Sequence, residues 1–158
     1  MEFMHFEKFG LYADFAISDT GNLLLCQMSD KKEPLPDIDF SRFSAVEMHI
    51  TGVSTHSSNN HGAKHYGSCG SRDLKYVSHT ETEDSLTFLL EDAYVRVLLH
   101  YVFYADSKTV RSCADVTNIS HEDVGLEYIS SFCLYGFQMD RLLMPISSCI
   151  NEMNWREY

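Results

Sequence analysis

The stretch YVRVLLHYVFY, residues 94–104, decides the fold class of this chain. In an extended strand successive side chains point to opposite faces of the sheet, so every second residue shares a face. One face is entirely apolar or aromatic: Val95, Val97, Leu99, Tyr101 and Phe103. The other face is mixed: Arg96, Leu98, His100, Val102 and Tyr104. The stretch therefore predicts a strand with one face in a core and the other half covered, as in a sandwich of two sheets.

Further strands are predicted at regular spacing around this stretch. They cover residues 74–81, 85–91, 109–118 and 124–137, and short runs of turn-forming residues separate them. Short connections without an intervening helical period are typical of antiparallel sheets. The predicted fold class is therefore all-β, an antiparallel β-sandwich formed by a single domain.

A hairpin is predicted near the N-terminus. Apolar runs at residues 11–17 and 23–28 flank a polar turn, residues 18–22. Gly21 and Asn22 are residue types that can adopt positive φ in such a turn.

Weaker patterns surround this hairpin. Residues 3–9 alternate too poorly to predict a strand, and residues 29–43 predict a loop. Residues 45–51 predict a short strand with Val46, Met48 and Ile50 on one face and Glu47 and His49 on the other. No stretch has a convincing helical period; residues 141–150 come nearest, and Pro145 interrupts them.

The stretch HGAKHYGSCGSRDLKYVSHTE, residues 61–81, predicts a loop in its first half and a strand in its second. Glycines at positions 62, 67 and 70 continue a loop that begins at Gly52. From Leu74 onward a period of two predicts a strand, with Leu74, Tyr76 and Ser78 on one face. A loop this long in a compact chain is often functional.

Composition narrows the classes of partner. The 158 residues include 12 Lys plus Arg against 23 Asp plus Glu, a formal net charge of −11. Nucleic acids and anionic membranes are bound by clustered cations, which this sequence lacks. A neutral ligand such as a sugar is compatible with this charge balance.

The cysteines and the N-terminal residues predict a reduced, cytoplasmic protein without a metal site. The cysteine count is odd, and no C-x2-C pair is present: Cys26, Cys69, Cys113, Cys133 and Cys149. The first residues, MEFMHFEKFG, show no secretory leader pattern, and no run of residues is long and apolar enough to cross a membrane. Histidines cluster between residues 49 and 79, but their spacing matches no recurring zinc pattern.

Catalytic signatures are weak in the sequence. A glycosidase needs two carboxylates on opposite sides of the scissile bond, whereas most acids here fall in predicted turns, where solvated turn residues are the simpler interpretation. Asp115 is the exception, inside a predicted strand. The tetrapeptide at residues 67–70, Gly-Ser-Cys-Gly, lacks the strand-turn-helix context of a nucleophile elbow and predicts a turn.

Trp155 differs from the other aromatic residues because it lies in a polar segment, NEMNWRE, residues 151–157. An aromatic ring in such a place can stack on the apolar face of a sugar. It can equally cover a neighbouring protein surface.

Three stretches resemble, in order and spacing, the N-terminal β-sandwich domain of the α-galactosidases of glycoside hydrolase family 36. The first is Thr51-Gly52 followed by HGAK at residues 61–64. The second is Arg72 with LKYVSH at 74–79. The third is LEDAYVRVLLHYVFYADSKTVRSCADVTN at 90–118 with GLEYISSF at 125–132. The resemblance covers most of the chain from about residue 12 onward.

The resemblance implies a specific role for the chain. Residues 1–158 would be part of an N-terminal domain with a galactose mutarotase-like supersandwich fold, in a retaining enzyme that cleaves terminal α-galactosides. Catalysis in this family takes place in a (β/α)8 barrel that residues 1–158 do not include, so no catalytic residue, cofactor or metal is assigned here. In multimeric members, loops of this domain approach the active site of a neighbouring subunit, so the resemblance implies a homo-oligomer. The substrate-proximal candidates are His61, Lys64 and Arg72 of loop 61–72, together with Trp155.

Two alternatives remain open at the level of the sequence. The chain is either an assembly domain of such an enzyme, inactive alone, or a free-standing carbohydrate-binding module that shares the sandwich. If it is part of a larger sandwich, open strand edges and apolar surface predict self-association. The candidate surfaces are the mixed face with Leu98, Val102 and Tyr104, and the apolar segment 142–150.

Overall fold

The computed structural model of the chain describes residues 1–35, 44–52, 69–133, 143–148 and 151–157. In this part of the chain, strands and one short helix follow in the order β1 (Glu2–Lys8), β2 (Leu11–Ile17), β3 (Leu23–Ser29), β4 (Met48–Ile50), α1 (Cys69–Asp73), β5 (Lys75–Glu81), β6 (Ser85–Glu91), β7 (Val95–Tyr104), β8 (Thr109–Asn118), β9 (Leu126–Ile129), β10 (Leu143–Ser148) and β11 (Asn151–Glu157).

These strands form two antiparallel meanders and two shorter pairs. Strands β1, β2 and β3 make a three-stranded sheet, and β5 to β8 make a four-stranded sheet in sequence order. Strand β4 pairs with β9, and β10 pairs with β11, also antiparallel. The prediction of an all-β, antiparallel fold is confirmed.

The two meanders pack face to face around one hydrophobic core. The ring of Phe15 in β2 lies 4.5 Å from that of Phe88 in β6 and 5.2 Å from that of Tyr101 in β7, measured between centroids. The predicted core face of β7 is buried throughout, with at most 2% of any side chain exposed: Val95, Val97, Leu99, Tyr101 and Phe103. The period-two interpretation of this stretch is confirmed, and the architecture is a β-sandwich.

The opposite face of β7 is half covered, as predicted. Leu98 and Val102 are half-buried on it. Between them, His100 places Nδ1 3.0 Å from Thr87 Oγ1 and Nε2 3.1 Å from Asp115 Oδ2. This chain of hydrogen bonds ties β6, β7 and β8 together across the outer face of the sheet.

Strand β1 is an element that the sequence pattern did not predict. Its core-facing positions include Phe6 and Lys8, and the charged Lys8 interrupts the apolar alternation. Lys8 is nevertheless buried, at 7% exposure, with Nζ 2.5 Å from both Glu81 Oε1 and Thr82 O. A buried ammonium is tolerated where it is paired and hydrogen-bonded, so tertiary contacts override the local pattern.

Two tight turns join the three N-terminal strands. Phe9 and Gly10 adopt φ values of 53° and 75°, and two consecutive positive φ angles define a type I′ hairpin turn. In the next turn Gly21 has a φ of 83°, as predicted, whereas Asn22 is not among the described residues with positive φ. The expectation for Asn22 is therefore wrong, and its side chain has the different role described below.

The face predicted for Ser78 in β5 is also wrong. A bulge between Tyr76 and Ser78 leaves Val77 without a partner in the ladder and shifts the alternation by one residue. His79 therefore lies on the core side, with its ring centroid 5.5 Å from Phe6 and 5.7 Å from Phe88. Sequence periodicity cannot show a bulge because the extra residue has no characteristic side chain.

The strand predicted for residues 45–51 is shorter and more buried than expected. The strand itself is β4, and it is buried on both faces: His49, predicted on the face opposite Met48 and Ile50, is 4% exposed. Strand β9 occupies only part of the range predicted as 124–137, whose last residues, 134–137, lie outside the described part of the chain.

Helix α1 and strand β10 also differ from expectation. Residues 69–70, expected in a loop, begin the five-residue helix α1, and residues 143–148, within the segment considered for a helix, form β10. Residues 30–35 form no strand, as predicted for that loop, and residues 36–43 are outside the described part. In the residues described, no helix is long and apolar enough to cross a membrane.

Truncation of Leu99 tests the core face of β7. Leu99 is fully buried, so Leu99→Ala should lower the free energy of unfolding by about 2 to 5 kcal/mol through lost burial and a residual cavity. The matched control is Leu98→Ala, the same change one residue away on the half-covered face. Denaturant melts of the two variants check this, and equal losses would mean that the two faces are not distinguished.

The buried ion pair of Lys8 gives a second test. Glu81→Ala leaves the buried Lys8 ammonium hydrogen-bonded to Thr82 O without its carboxylate and should cost about 1 to 3 kcal/mol. Lys8→Met removes the charge instead and leaves the half-exposed Glu81 in water, so its cost should be smaller. A larger loss in Lys8→Met than in Glu81→Ala, measured by thermal or denaturant melts, would contradict this account.

Candidate functional site

The predicted substrate-proximal residues are only partly placed by the structure. His61 and Lys64 lie outside the described residues. Arg72 is near the end of α1, and Trp155 is on β11 opposite Pro145, with 66% of it exposed. Within the described residues, no hydrogen bond, ion pair or ring contact joins Arg72 to Trp155. The grouping of Arg72 with Trp155 therefore stays a prediction.

Helix α1 is fixed to the sandwich through Ser71. Ser71 is fully buried, and its Oγ accepts a hydrogen bond from Met48 N at 2.9 Å. The same hydroxyl donates to Glu47 Oε2 at 2.8 Å. The Ser71 hydroxyl thus acts as donor and as acceptor toward the segment that enters β4. These two hydrogen bonds fix the residue next to Arg72.

A second anchor for this helix is the side chain of Asn22. Its Nδ2 lies 3.2, 2.8 and 2.9 Å from the carbonyl oxygens of Ser71, Arg72 and Leu74. Lys75 Nζ also donates to Arg72 O at 2.5 Å. Backbone carbonyls at the end of a helix have no partner within it, so these side chains satisfy groups that would otherwise be unpaired.

The chain entering the predicted loop is also held. Thr51 N donates to Gly125 O at 2.8 Å, just after β4. A Cβ on Gly125 would lie 3.0 Å from Thr51 Oγ1, so a larger residue here would force the Thr51 side chain to shift. Both ends of segment 53–68 are therefore attached to the sandwich, at Thr51 and at Ser71.

His49 lies beside the first of these attachment points. Its Nδ1 is 2.8 Å from Glu127 Oε2, and its ring is parallel to that of Tyr128, with an interplanar angle of 4°. The carboxylate fixes the orientation of the buried imidazole. Among the described residues, no group of three or more His, Cys, Asp or Glu side chains is arranged to hold a metal ion.

Several of the described carboxylates have structural partners. Asp92 Oδ1 accepts from the backbone N of Tyr94 and Val95, both at 2.7 Å, and so shapes the turn between β6 and β7. Asp84 accepts from Thr82 Oγ1 at 2.8 Å in the preceding turn. Asp115, the acid predicted inside a strand, is bonded to His100.

A cleft that the sequence did not reveal opens on the outer face of the three-stranded sheet. Its volume is about 590 Å³. The lining residues come from β1, β2 and the segment after β3: His5, Phe6, Glu7, Tyr12, Asp14, Lys32, Glu33, Pro34 and Leu35. These residues come from three separate segments and form no sequence motif. Seven of the nine belong to a strand and a loop whose sequence patterns are weak.

The wall formed by residues 32–35 is attached to the sheet in two ways. Gln27 Nε2 donates to Glu33 O at 3.3 Å. Leu35 packs on a small apolar cluster of Ala16, Leu24 and Cys26. Burial raises the pKa of the Cys26 thiol to about 12, with the charge of Asp14 adding to the shift, so this thiol stays protonated at neutral pH.

Comparison of the chain with protein-family models, curated proteins and solved structures finds no match. The resemblance to glycoside hydrolase family 36 therefore stays a prediction from the residues quoted above.

Asn22→Asp tests the anchoring of α1. The substitution keeps the shape of the side chain but turns an acceptor toward three carbonyl oxygens, so it should cost about 1 to 3 kcal/mol. Asn118→Asp is the matched control, because Asn118 Nδ2 donates to a single exposed carbonyl, that of Glu122. Denaturant melts measure the difference, and hydrogen exchange should accelerate at residues 71–76 in Asn22→Asp. Equal stabilities of the two variants would show that Asn22 does not fix the helix.

Proposed function

We propose that this chain supplies the non-catalytic N-terminal β-sandwich domain of a retaining α-galactosidase that resembles glycoside hydrolase family 36. The enzyme would hydrolyse terminal α-galactosides of the melibiose or raffinose kind in carbohydrate metabolism. One observation supports this most: the stretches that carry the resemblance at residues 74–79 and 90–118 fold as neighbours, within β5 to β8 of one sheet. The sandwich would be part of a mutarotase-like supersandwich.

The domain itself would contribute no catalytic group. A retaining glycosidase needs a nucleophile and an acid held about 5 to 5.5 Å apart on one scaffold. Asp84, Asp92 and Asp115 are instead engaged by turn or strand partners. Catalysis would come from the barrel that the resemblance implies.

The role of the sandwich would be to present loop 61–72 to an active site. Its two attachment points, at Thr51 and Ser71, support this because a loop that positions substrate needs a rigid base. His61, Lys64 and Arg72 would then approach the active site of a neighbouring subunit in a homo-oligomer. The half-buried Leu98 and Val102 on the outer face of the four-stranded sheet are the candidate subunit contact.

A reducing, cytoplasmic location accompanies this proposal. Cys26 and Cys113 are free thiols in the structure. Their free state is compatible with a compartment in which disulfides are rare.

The complete product of the gene that encodes residues 1–158 provides the test. That product should hydrolyse p-nitrophenyl α-galactoside and sediment as an oligomer, whereas the purified chain 1–158 should show no turnover, because differential stabilisation of the transition state needs the barrel carboxylates. Within the active product, Arg72→Ala should reduce kcat/KM and Arg96→Ala, an exposed arginine on β7, should not. Turnover by the purified chain alone, or a complete product without activity, would overturn the proposal.

A carbohydrate-binding module is the second candidate, and the exposure of Trp155 favours it. An indole that is 66% exposed on a hairpin is available for stacking on a sugar ring. Trp155 is the sole tryptophan, so its fluorescence reports binding directly. A complete gene product that changes Trp155 fluorescence with galactosides but turns none over would favour the module over the enzyme domain.

A further inference from the structure

We propose that the cleft on the outer face of the three-stranded sheet binds a neutral polyhydroxylated ligand the size of a mono- or disaccharide. Residues of β1 and β2 form its floor, and residues 32–35 form one wall. Its lining includes neither Arg72 nor Trp155. The inference goes beyond the proposed enzyme role and does not depend on it.

The dimensions of the cleft suit a small organic ligand. Its volume of about 590 Å³ falls inside the range of about 300 to 1,000 Å³ that is common for ligand pockets. The wall is held on the sheet by the hydrogen bond from Gln27 to Glu33 O and by the packing of Leu35. These two contacts hold the wall formed by residues 32–35 in place.

The lining offers hydrogen-bond acceptors and donors together. The carboxylates of Glu7, Asp14 and Glu33 are acceptors, and Lys32 is a donor with His5 able to serve as either. A hydroxyl group both donates and accepts, so a ring with several hydroxyls can satisfy both kinds of partner. Hydrogen bonds to ionised side chains are also stronger than those between neutral groups.

Asp14 is the fixed point of this lining. It is 8% exposed, and its Oδ1 lies 2.7 Å from Nδ1 of His5, its register partner on β1. Burying a carboxylate is costly unless it is hydrogen-bonded, so His5 holds a charged acceptor in place at the back of an open cleft. The His5 side chain is itself 65% exposed and accessible to a ligand.

The charges of the lining disfavour anions. Three carboxylates stand against one ammonium, which repels an anion, and the chain as a whole has a formal charge of −11. Lys32 offsets part of this negative charge, and competition by a cation is measured with spermidine below. Tyr12 adds a half-buried aromatic ring with a polar tip, a side chain suited to one apolar face of a sugar.

The test is a titration of the ¹⁵N-labelled 158-residue chain, followed by NMR, with D-galactose, D-glucose and melibiose, and with spermidine as a cationic probe. At least one sugar should cause saturable shifts of amides at residues 5–14 and 32–35. No saturable shift with any of the sugars, or saturable shifts with spermidine alone, would overturn the proposal. Galactosidase activity of the complete gene product is a separate readout, so either result stands without the other.

Matched variants localise the binding. Glu7→Gln and Tyr12→Val should each weaken sugar binding roughly tenfold, through loss of a charged acceptor and of the ring. Glu2→Gln, on the same strand outside the cleft, and Tyr104→Val, an exposed tyrosine of β7, should leave the dissociation constant unchanged. Amide dispersion in each spectrum shows that the variant is folded. Equal weakening by the controls would place the sugar elsewhere and overturn the assignment.

Discussion

The contact between Phe15 and Phe88, with ring centroids 4.5 Å apart, is the interaction on which the rest of this structure depends. Each meander has hydrogen-bonded strands, but a sheet needs a covered apolar face to be stable in water. Phe15 also contacts Tyr101 of β7, and Tyr101 contacts Phe88 of β6, so the three rings form one cluster between the sheets. Without this aromatic cluster both sheets would expose their largest side chains.

Polar tethers then fix the angle at which the two sheets meet. Lys8 reaches from the end of β1 to Glu81 at the end of β5. At the other end, Tyr76 N donates to Gly21 O at 2.9 Å, and Asn22 holds the carbonyls around α1. Hydrogen bonds and ion pairs are directional, whereas the burial of aromatic rings is not. These contacts therefore select one relative placement of the two sheets among those that burial alone would allow. Through Asn22, the N-terminal sheet also helps to position Ser71, the attachment point of loop 61–72.

The predictability of each element follows from where its determining contacts lie. Strand β7 was predictable because its alternation is complete and its core face contains no charged side chain. Strand β1 was not, because the buried position of Lys8 depends on Glu81 and Thr82 O, far along the chain. The bulge at Val77 reassigns His79 to the core without leaving a local signal. Arg72 could be proposed as a site residue from sequence, but the hydrogen bond from Asn22 to its carbonyl could not. The cleft around Asp14 was not predictable because it forms only when three separate segments come together.

The pairing of Lys8 with Glu81 has a consequence for the kinetics of folding. The two residues are 73 positions apart, whereas each meander is built from neighbours joined by short turns. Closing a long loop costs more chain entropy than forming a hairpin, so each sheet can assemble locally before the two dock. Until docking occurs, the apolar faces and the edges of both sheets are open to other chains. The aggregation hazard of this protein is therefore concentrated in the interval between formation of the sheets and formation of the sandwich.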